Sequence, residues 1–286
     1  MNSTHFRLPM FKLNGIWFPE YFSVENVKKA MKWTPMDDDI IVATYPKCGT
    51  TWVQSIVWFI QHKDLDSLPP ITDFMFKHFL DKQDINVIDA IKQPRHVKTH
   101  FPYYLNNINC NAKYITVYRD PKDVCISFYH FCRNIFNLKD EKYTFDEFFE
   151  NFNEGYVPYA DFFNHVQSWY EHKDDENVLF LEYEKMTRNI YETVMDIAEF
   201  ISTNEVDYAK LLQRDSCLLH KIVEKTSFGE MKKSYTHLID MNSNVAKNFN
   251  GFFRNGKVGD WKNYLNENQR DIIDEKLKQL KSFTHM

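Results

Sequence analysis

The first residues whose types and spacing could do chemistry are Lys47, Gly49, Thr50 and Thr51, in the run Thr44-Tyr45-Pro46-Lys47-Cys48-Gly49-Thr50-Thr51-Trp52. A mobile ammonium, a glycine that lets the backbone approach closely and a pair of hydroxyl donors, set just ahead of a helical pattern, are the parts of an anion cradle. The first N–H groups of a helix lack carbonyl partners and its dipole favours negative charge, so a phosphate is welcome there. The order is not that of the common nucleotide loop, Gly, four residues, then Gly-Lys-Ser/Thr, because Lys47 precedes the only glycine of the run. On local pattern alone, a capped helix start and a phosphate cradle fit equally well.

Further chemistry-bearing groups follow. Lys98 and His100 close the run Arg95-His96-Val97-Lys98-Thr99-His100. Arg119, whose planar fork suits phosphate, precedes Asp120-Pro121-Lys122-Asp123, with Ser127 shortly beyond. Surface pairing of Arg119 with Asp120 or Asp123 is the plain alternative. Near the end, Phe249 to Trp261 holds three of the chain's 7 glycines, which fits either a ligand-wrapping loop or a pair of tight turns.

These residues need elements to position them. The apolar run Ile40-Ile41-Val42-Ala43 reads as a strand feeding the first loop, and Trp52 to Ile60 as the helix after it. Arg95–His100, Lys113–Tyr118 and Asn177–Tyr183 read as further strands. Helices are expected over Val124–Phe131, started by Asp120 and Pro121, across the aromatic stretch from Thr144 to Tyr170, over Asn189–Ile201, and after residue 205 until Lys225–Gly229. Residues 1–38 read as an irregular lead-in with one helix, Ser23–Ala30, capped by Ser23. Ser67-Leu68-Pro69-Pro70 stops regular structure, and Phe74-Met75-Phe76 reads as exposed, a possible pocket roof or a loop folded on the core. Strands alternating with helices predict an α/β fold: a single domain over residues 1–286, with a central, mostly parallel sheet and helices on both faces. Ligands of such sheets sit beyond the carboxyl ends of the strands, where Lys47, Lys98, His100 and Arg119 all fall.

A net charge of -5 argues against nucleic acid as a partner, because phosphate backbones demand a broad basic surface. Without an apolar leader or a run of about 18 apolar residues, a soluble cytoplasmic protein with no membrane partner is expected, and the Asn2-Ser3-Thr4 sequon is expected to stay silent. Five cysteines without metal-site spacing fit free thiols, and no metal is expected. Aromatics at 16% exceed what a core needs, leaving some to line a pocket.

Together, Thr44 to Trp52, the Lys98-Thr99-His100 strand end, Tyr118 to Phe131, Thr226-Ser227-Phe228 and Arg254 to Trp261 resemble the cytosolic sulfotransferases in order, interval and connecting segments over nearly the whole chain. That resemblance implies transfer of a sulfuryl group from 3′-phosphoadenosine 5′-phosphosulfate (PAPS) to a hydroxyl or amine, with adenosine 3′,5′-bisphosphate (PAP) as product. It implies a P-loop-like cradle in which Lys47, Cys48 (through its backbone), Gly49, Thr50 and Thr51 hold the 5′-phosphosulfate. It implies that Trp52, Tyr183, Thr226 and Phe228 hold adenine, and that Arg119, Ser127, Arg254, Asn255 and Gly256, with Phe253 beside them, form the 3′-phosphate end. His100 would be the general base of an in-line transfer, with Lys47 and Lys98 stabilising charge. Phe74, Phe76, Phe131 and Tyr159, with Lys98 and His100, would face a small aromatic acceptor; relatives divide among phenols, catecholamine-type amines, steroids and other alcohols. Ile135 offers no carboxylate to an ammonium group, which favours neutral phenols.

Cys48 stands where the family usually has a small residue such as serine, and Asn255 where a lysine is common. In the segment Lys262 to Asp271, Asn266-Glu267 replaces the Thr-Val of the family's dimer contact, so a homodimer is possible through an altered segment. A nucleotide kinase with Asp120 on magnesium, and an idle nucleotide-binding relative, are the rival readings. The missing Gly-Lys-Ser/Thr order opposes the first and the intact Lys47, Lys98 and His100 the second.

Overall fold

The computed structural model describes residues 8–62, 73–74, 76–138, 143–241 and 252–280. The Ser67–Pro70 break, Met75 and the Phe249–Gly251 start of the glycine-rich loop lie outside the described residues.

Four strands form the central sheet: β3 (Ile40–Ala43), β4 (His96–Thr99), β5 (Lys113–Tyr118) and β6 (Val178–Glu182). Their spatial order is β4-β3-β5-β6, every pair parallel, so among the described residues the sheet is wholly rather than mostly parallel. All four β3 residues are buried, as an apolar run covered on both faces should be. The helices are α1 (Val24–Ala30), α2 (Thr50–His62), α3 (Ile85–Asp89), α4 (Pro121–Ile135), α5 (Phe145–Glu154), α6 (Phe162–Tyr170), α7 (Tyr183–Arg188), α8 (Ile190–Ile201), α9 (Tyr208–Arg214), α10 (Ser216–Lys225), α11 (Phe228–Met241) and α12 (Glu267–Gln279). They flank the sheet on both faces.

The lead-in is not irregular. β1 (Met10–Leu13) and β2 (Ile16–Pro19) form an antiparallel hairpin whose turn residues, Asn14 (φ 48°) and Gly15 (φ 84°), are both left-handed, as a two-residue hairpin turn demands. Phe18 of β2 is fully buried and meets Tyr159 edge-on at 5.5 Å and Phe101 at 6.1 Å. This packing sets the hairpin against the end of the sheet that bears the candidate catalytic residues.

Strong caps place the helices. Ser23 accepts the Asn26 N–H (3.3 Å), and Asp120 accepts the Lys122 N–H (2.9 Å) with Pro121 at the first helical position. Thr144 and Glu147 form a reciprocal box at α5, as do Asn266 and Gln269 at α12. Asn266, in the altered dimer segment, therefore starts a helix here. Under the sheet, Arg95 is fully buried and grips Asp39 with both ends of its fork (2.9 and 3.0 Å), a pair whose breakage costs about 3–5 kcal/mol. Most of the aromatic stretch from residue 144 to 170 is core: Tyr45 is ringed edge-on by Phe128, Phe152 and Phe162 at 5.1–6.5 Å.

Candidate active site

The loop from β3 to α2 turns through two left-handed residues, Lys47 (φ 72°) and Gly49 (φ 105°). The Cys48 N–H closes this turn on the Tyr45 carbonyl (3.3 Å), and the Val53 N–H makes the helix bond back to Gly49 (3.1 Å). The N–H groups of Thr50, Thr51 and Trp52 thus precede the first such bond and have no helical carbonyl to reach. A side chain at Gly49 would press on the Tyr183 ring at 3.2 Å as well as strain the backbone. The Thr44 and Thr50 hydroxyls share a hydrogen bond of 2.6 Å. Cys48 points the other way: its side chain is fully buried in the core, where burial pushes the thiol up.

The half-buried Lys47 holds its ammonium between the rings of Phe131 (4.6 Å) and Phe252 (4.2 Å). Burial, with the Arg119 charge next in weight, pushes it down to about 7. Lys98, next to last in β4, is buried, its ammonium 4.3 Å over Phe79. Burial likewise pushes it down to about 7, opposed by the Asp81 carboxylate.

His100 follows at the carboxyl end of β4. Its Nδ1 lies 2.7 Å from the Thr44 carbonyl, an acceptor only, so Nδ1 must carry the proton. Burial and the Lys98 charge hold the ring well below 6.5, so it is neutral at physiological pH and Nε2 keeps its lone pair. Buried Asp81 braces the backbone behind it, accepting from the Thr99 hydroxyl (2.5 Å) and the His100 N–H (2.8 Å). Edge-on contacts with Phe79 (5.2 Å) and Tyr159 (5.0 Å) fix the ring plane.

The second cationic group lies past β5. Arg119 is buried and donates from Nη1 to the Lys47 carbonyl (2.9 Å), with its guanidinium 4.2 Å from the Tyr183 ring. It pairs with neither nearby carboxylate: Asp120 caps α4, and Asp123 accepts the Gly259 (2.6 Å) and Trp261 (3.1 Å) N–H groups. Asp123 thereby ties the glycine-rich loop to α4. On that loop Arg254 is ion-paired with Asp260, and Gly256 (φ 65°) sits where any side chain would strike the Phe228 ring. The buried Nε atoms of Arg119 and Arg254 and Nε1 of Trp52 have no hydrogen-bond partner among the described residues.

One cavity of about 380 Å³ joins these parts. It is lined by Lys47, Gly49, Thr50, Thr51, Trp52, Lys98, His100, Arg119, Ser127, Phe131, Tyr183, Thr226, Phe228, Phe253, Arg254, Asn255 and Gly256. Four expected site residues are absent from its wall. Cys48 faces the core, where only its backbone belongs to the loop. Phe74 is buried rather than exposed, against His96 (5.0 Å) and His78 (5.6 Å). Phe76 lies half-buried under the Lys82 ammonium at 4.6 Å, and Tyr159 stands behind His100. Sequence reasoning missed Tyr21, Phe22, Phe79 and Lys82 at the His100 end and Phe252 beside Lys47. The Asn14-Gly15 turn was the available signal for the first pair, since it announces the hairpin that presents them.

A family model described as the sulfotransferase domain matches residues 37–284. The chain is 36% identical over 259 residues to sulfotransferase 1E1 of Mus musculus, covering 85% of this chain and 83% of that protein. It is 34% identical over 259 residues to an amine sulfotransferase of Oryctolagus cuniculus, covering 83% and 79% respectively. The crystal structure of mouse sulfotransferase SULT7A1 complexed with PAP superposes with a TM-score of 0.74 at 30% identity, covering 95% of this chain and 93% of that one.

Proposed function

This chain belongs to the sulfotransferase family, and from that premise we propose that it moves a sulfuryl group from PAPS to the hydroxyl, or amine, of a small aromatic acceptor, with His100 as general base. The observation that carries the reading is the His100 ring: neutral, its Nδ1 proton committed to Thr44, and beside two lysines in one cavity. When bound, PAPS supplies an activated sulfuryl group whose leaving group is PAP.

The residues present fit such a donor. Two separated cationic ends in a chain of net charge -5 match a molecule with two anionic ends, and the unpartnered Nε atoms of Arg119 and Arg254 call for an acceptor there. Lys47, Gly49, Thr50 and Thr51 would hold the phosphosulfate, whereas Cys48, its N–H closed on the Tyr45 carbonyl and its side chain in the core, offers it no donor. Trp52, Tyr183, Thr226 and Phe228 would hold adenine, and Arg119, Ser127, Arg254, Asn255 and Gly256, with Phe253, the 3′-phosphate. His100 Nε2 takes the proton of the attacking hydroxyl, while the Lys47 and Lys98 ammoniums stabilise negative charge on the oxygens in flight. The chemistry asks mainly for positioning and charge, as phosphoryl transfer does. Asp120, spent as a helix cap, gives the rival kinase reading little support.

At the acceptor end Tyr21, Phe22, Phe79 and Phe131 offer apolar faces, and no carboxylate lines the cavity among the described residues. That favours phenolic acceptors without a cationic group over catecholamine-type amines. All five cysteines are free, and no helix among the described residues is long and apolar enough to cross a membrane, in keeping with work in the cytoplasm. The test is sulfuryl transfer from PAPS across a panel of phenols, phenolic amines and steroids. The His100→Ala variant should keep PAP binding and lose about 10²–10⁴-fold in turnover. Retained turnover would remove His100 from the base role, and stabilisation by ATP-magnesium but not by metal-free PAP would favour the kinase.

A further inference from the structure

The aromatic end of the cavity contains one cation the transfer chemistry does not use. Lys82 lines the cavity and is half-buried, with its ammonium 4.6 Å from the Phe76 ring and 5.5 Å from the Tyr21 ring. No carboxylate pairs with it among the described residues. Burial alone pushes it down, with no opposing charge, and it in turn contributes to the lowering of Lys98. Even a half-buried cation without a counter-ion loses part of its hydration; ring faces offset part of that cost while leaving its N–H donors unspent. Lys82 closes a turn on Phe79 (Lys82 N–H to Phe79 carbonyl, 3.2 Å), and the Phe79 ring meets His100 edge-on at 5.2 Å. An aromatic acceptor lying on Phe79 with its hydroxyl at His100 thus extends toward Lys82.

We propose that Lys82 is a specificity-determining residue and selects phenolic acceptors that carry a second, anionic group such as a carboxylate. The ammonium donates to that group, the acceptor supplies the missing counter-ion, and ammonium-bearing phenols are repelled. The inference rests on the acceptor lying at the His100 end of the cavity.

The test compares 3-(4-hydroxyphenyl)propanoate with its methyl ester, by calorimetric binding to the PAP-loaded protein and, separately, by turnover with PAPS. The acid should bind about tenfold tighter than the ester, as a charge-assisted hydrogen bond predicts, and that ratio should collapse to within about twofold in Lys82→Met. Lys82→Glu should shift preference toward 4-hydroxyphenethylamine. Equal binding of acid and ester by the native chain, an unchanged ratio in Lys82→Met, or no binding of the acid at millimolar concentration each overturns the proposal. A Lys82-dependent preference in binding without turnover of either phenol would instead overturn the proposed sulfuryl transfer to phenols and leave the role of Lys82 standing.

Discussion

Binding of PAP at pH 8 should draw close to two protons out of solution. Lys47 and Lys98 are each pushed down to about 7, so each is charged in about half of the molecules at pH 7 and in about one in ten at pH 8. An anion seated against them favours the charged form and drives both toward full protonation. Uptake should therefore rise from about 1.0 proton per site at pH 7 to about 1.8 at pH 8. By linkage the apparent affinity falls as pH rises, about fivefold per lysine over that interval and about thirtyfold for both. The second ionisation of a phosphate monoester lies near 6, so the ligand's own groups contribute little across this range. Calorimetric titration in buffers of different ionisation enthalpy reads the protons directly. Lys47→Met and Lys98→Met should each remove about half of the uptake at pH 8, which separates the lysines from His100. Uptake below about 0.5 proton at pH 8, or uptake that survives in the double variant, would refute the reasoning.

Three further outcomes concern the glycine-rich loop at the proposed 3′-phosphate end. Asp123→Asn leaves one of the Gly259 and Trp261 N–H groups without its acceptor; with such charge-assisted bonds worth about 1.5–3 kcal/mol, PAP affinity should drop about 10- to 100-fold and trypsin should cut after Arg254 or Lys257 faster. Gly256→Ala puts a Cβ into the Phe228 ring at a left-handed position and should weaken PAP binding at least about tenfold by fluorescence titration; unchanged affinity would detach this loop from the site. Asn255→Lys adds a charge at the same end and should tighten PAP binding and steepen its salt dependence, whereas an indifferent response would place that side chain away from the phosphate.

Much of this arrangement was legible in the residues, for a physical reason. Strand ends in a parallel sheet announce themselves: the apolar runs before Thr44 and Arg119 fix where two strands stop, Phe101-Pro102 bounds a third, and Asp120-Pro121 fixes where α4 starts. Charged and small residues just past those points could hardly avoid one common edge. The acceptor wall was less legible because an aromatic ring carries no positional label. Phe74 and Phe79 sit five residues apart in one polar-flanked stretch, yet the first packs beneath β4 on His96 while the second meets His100 in the cavity. Only the path of the chain between them decides that, and no periodicity records it. Tyr21 and Phe22 escaped for a different cause: a hairpin of four-residue strands is too short for alternation to register, leaving Asn14-Gly15 as its sole mark. Asp81 was hidden because a carboxylate buried for its hydrogen bonds to Thr99 and His100 looks in sequence like any surface acid.

The left-handed backbone at Lys47 sets two demands on one position. A residue with a Cβ is uncomfortable there by about 1 kcal/mol or more, and glycine would relieve the discomfort at once. Yet glycine carries no ammonium. The position must therefore be occupied by a side chain the backbone does not favour, and the peptide is kept in place from outside, by the Arg119 fork on its carbonyl. Random drift toward a more stable loop is closed off in the place where it would be easiest. Loss of Arg119 should accordingly be felt at both ends of the cavity, because the arginine proposed for the far anion is also the peg on which the near one's lysine hangs.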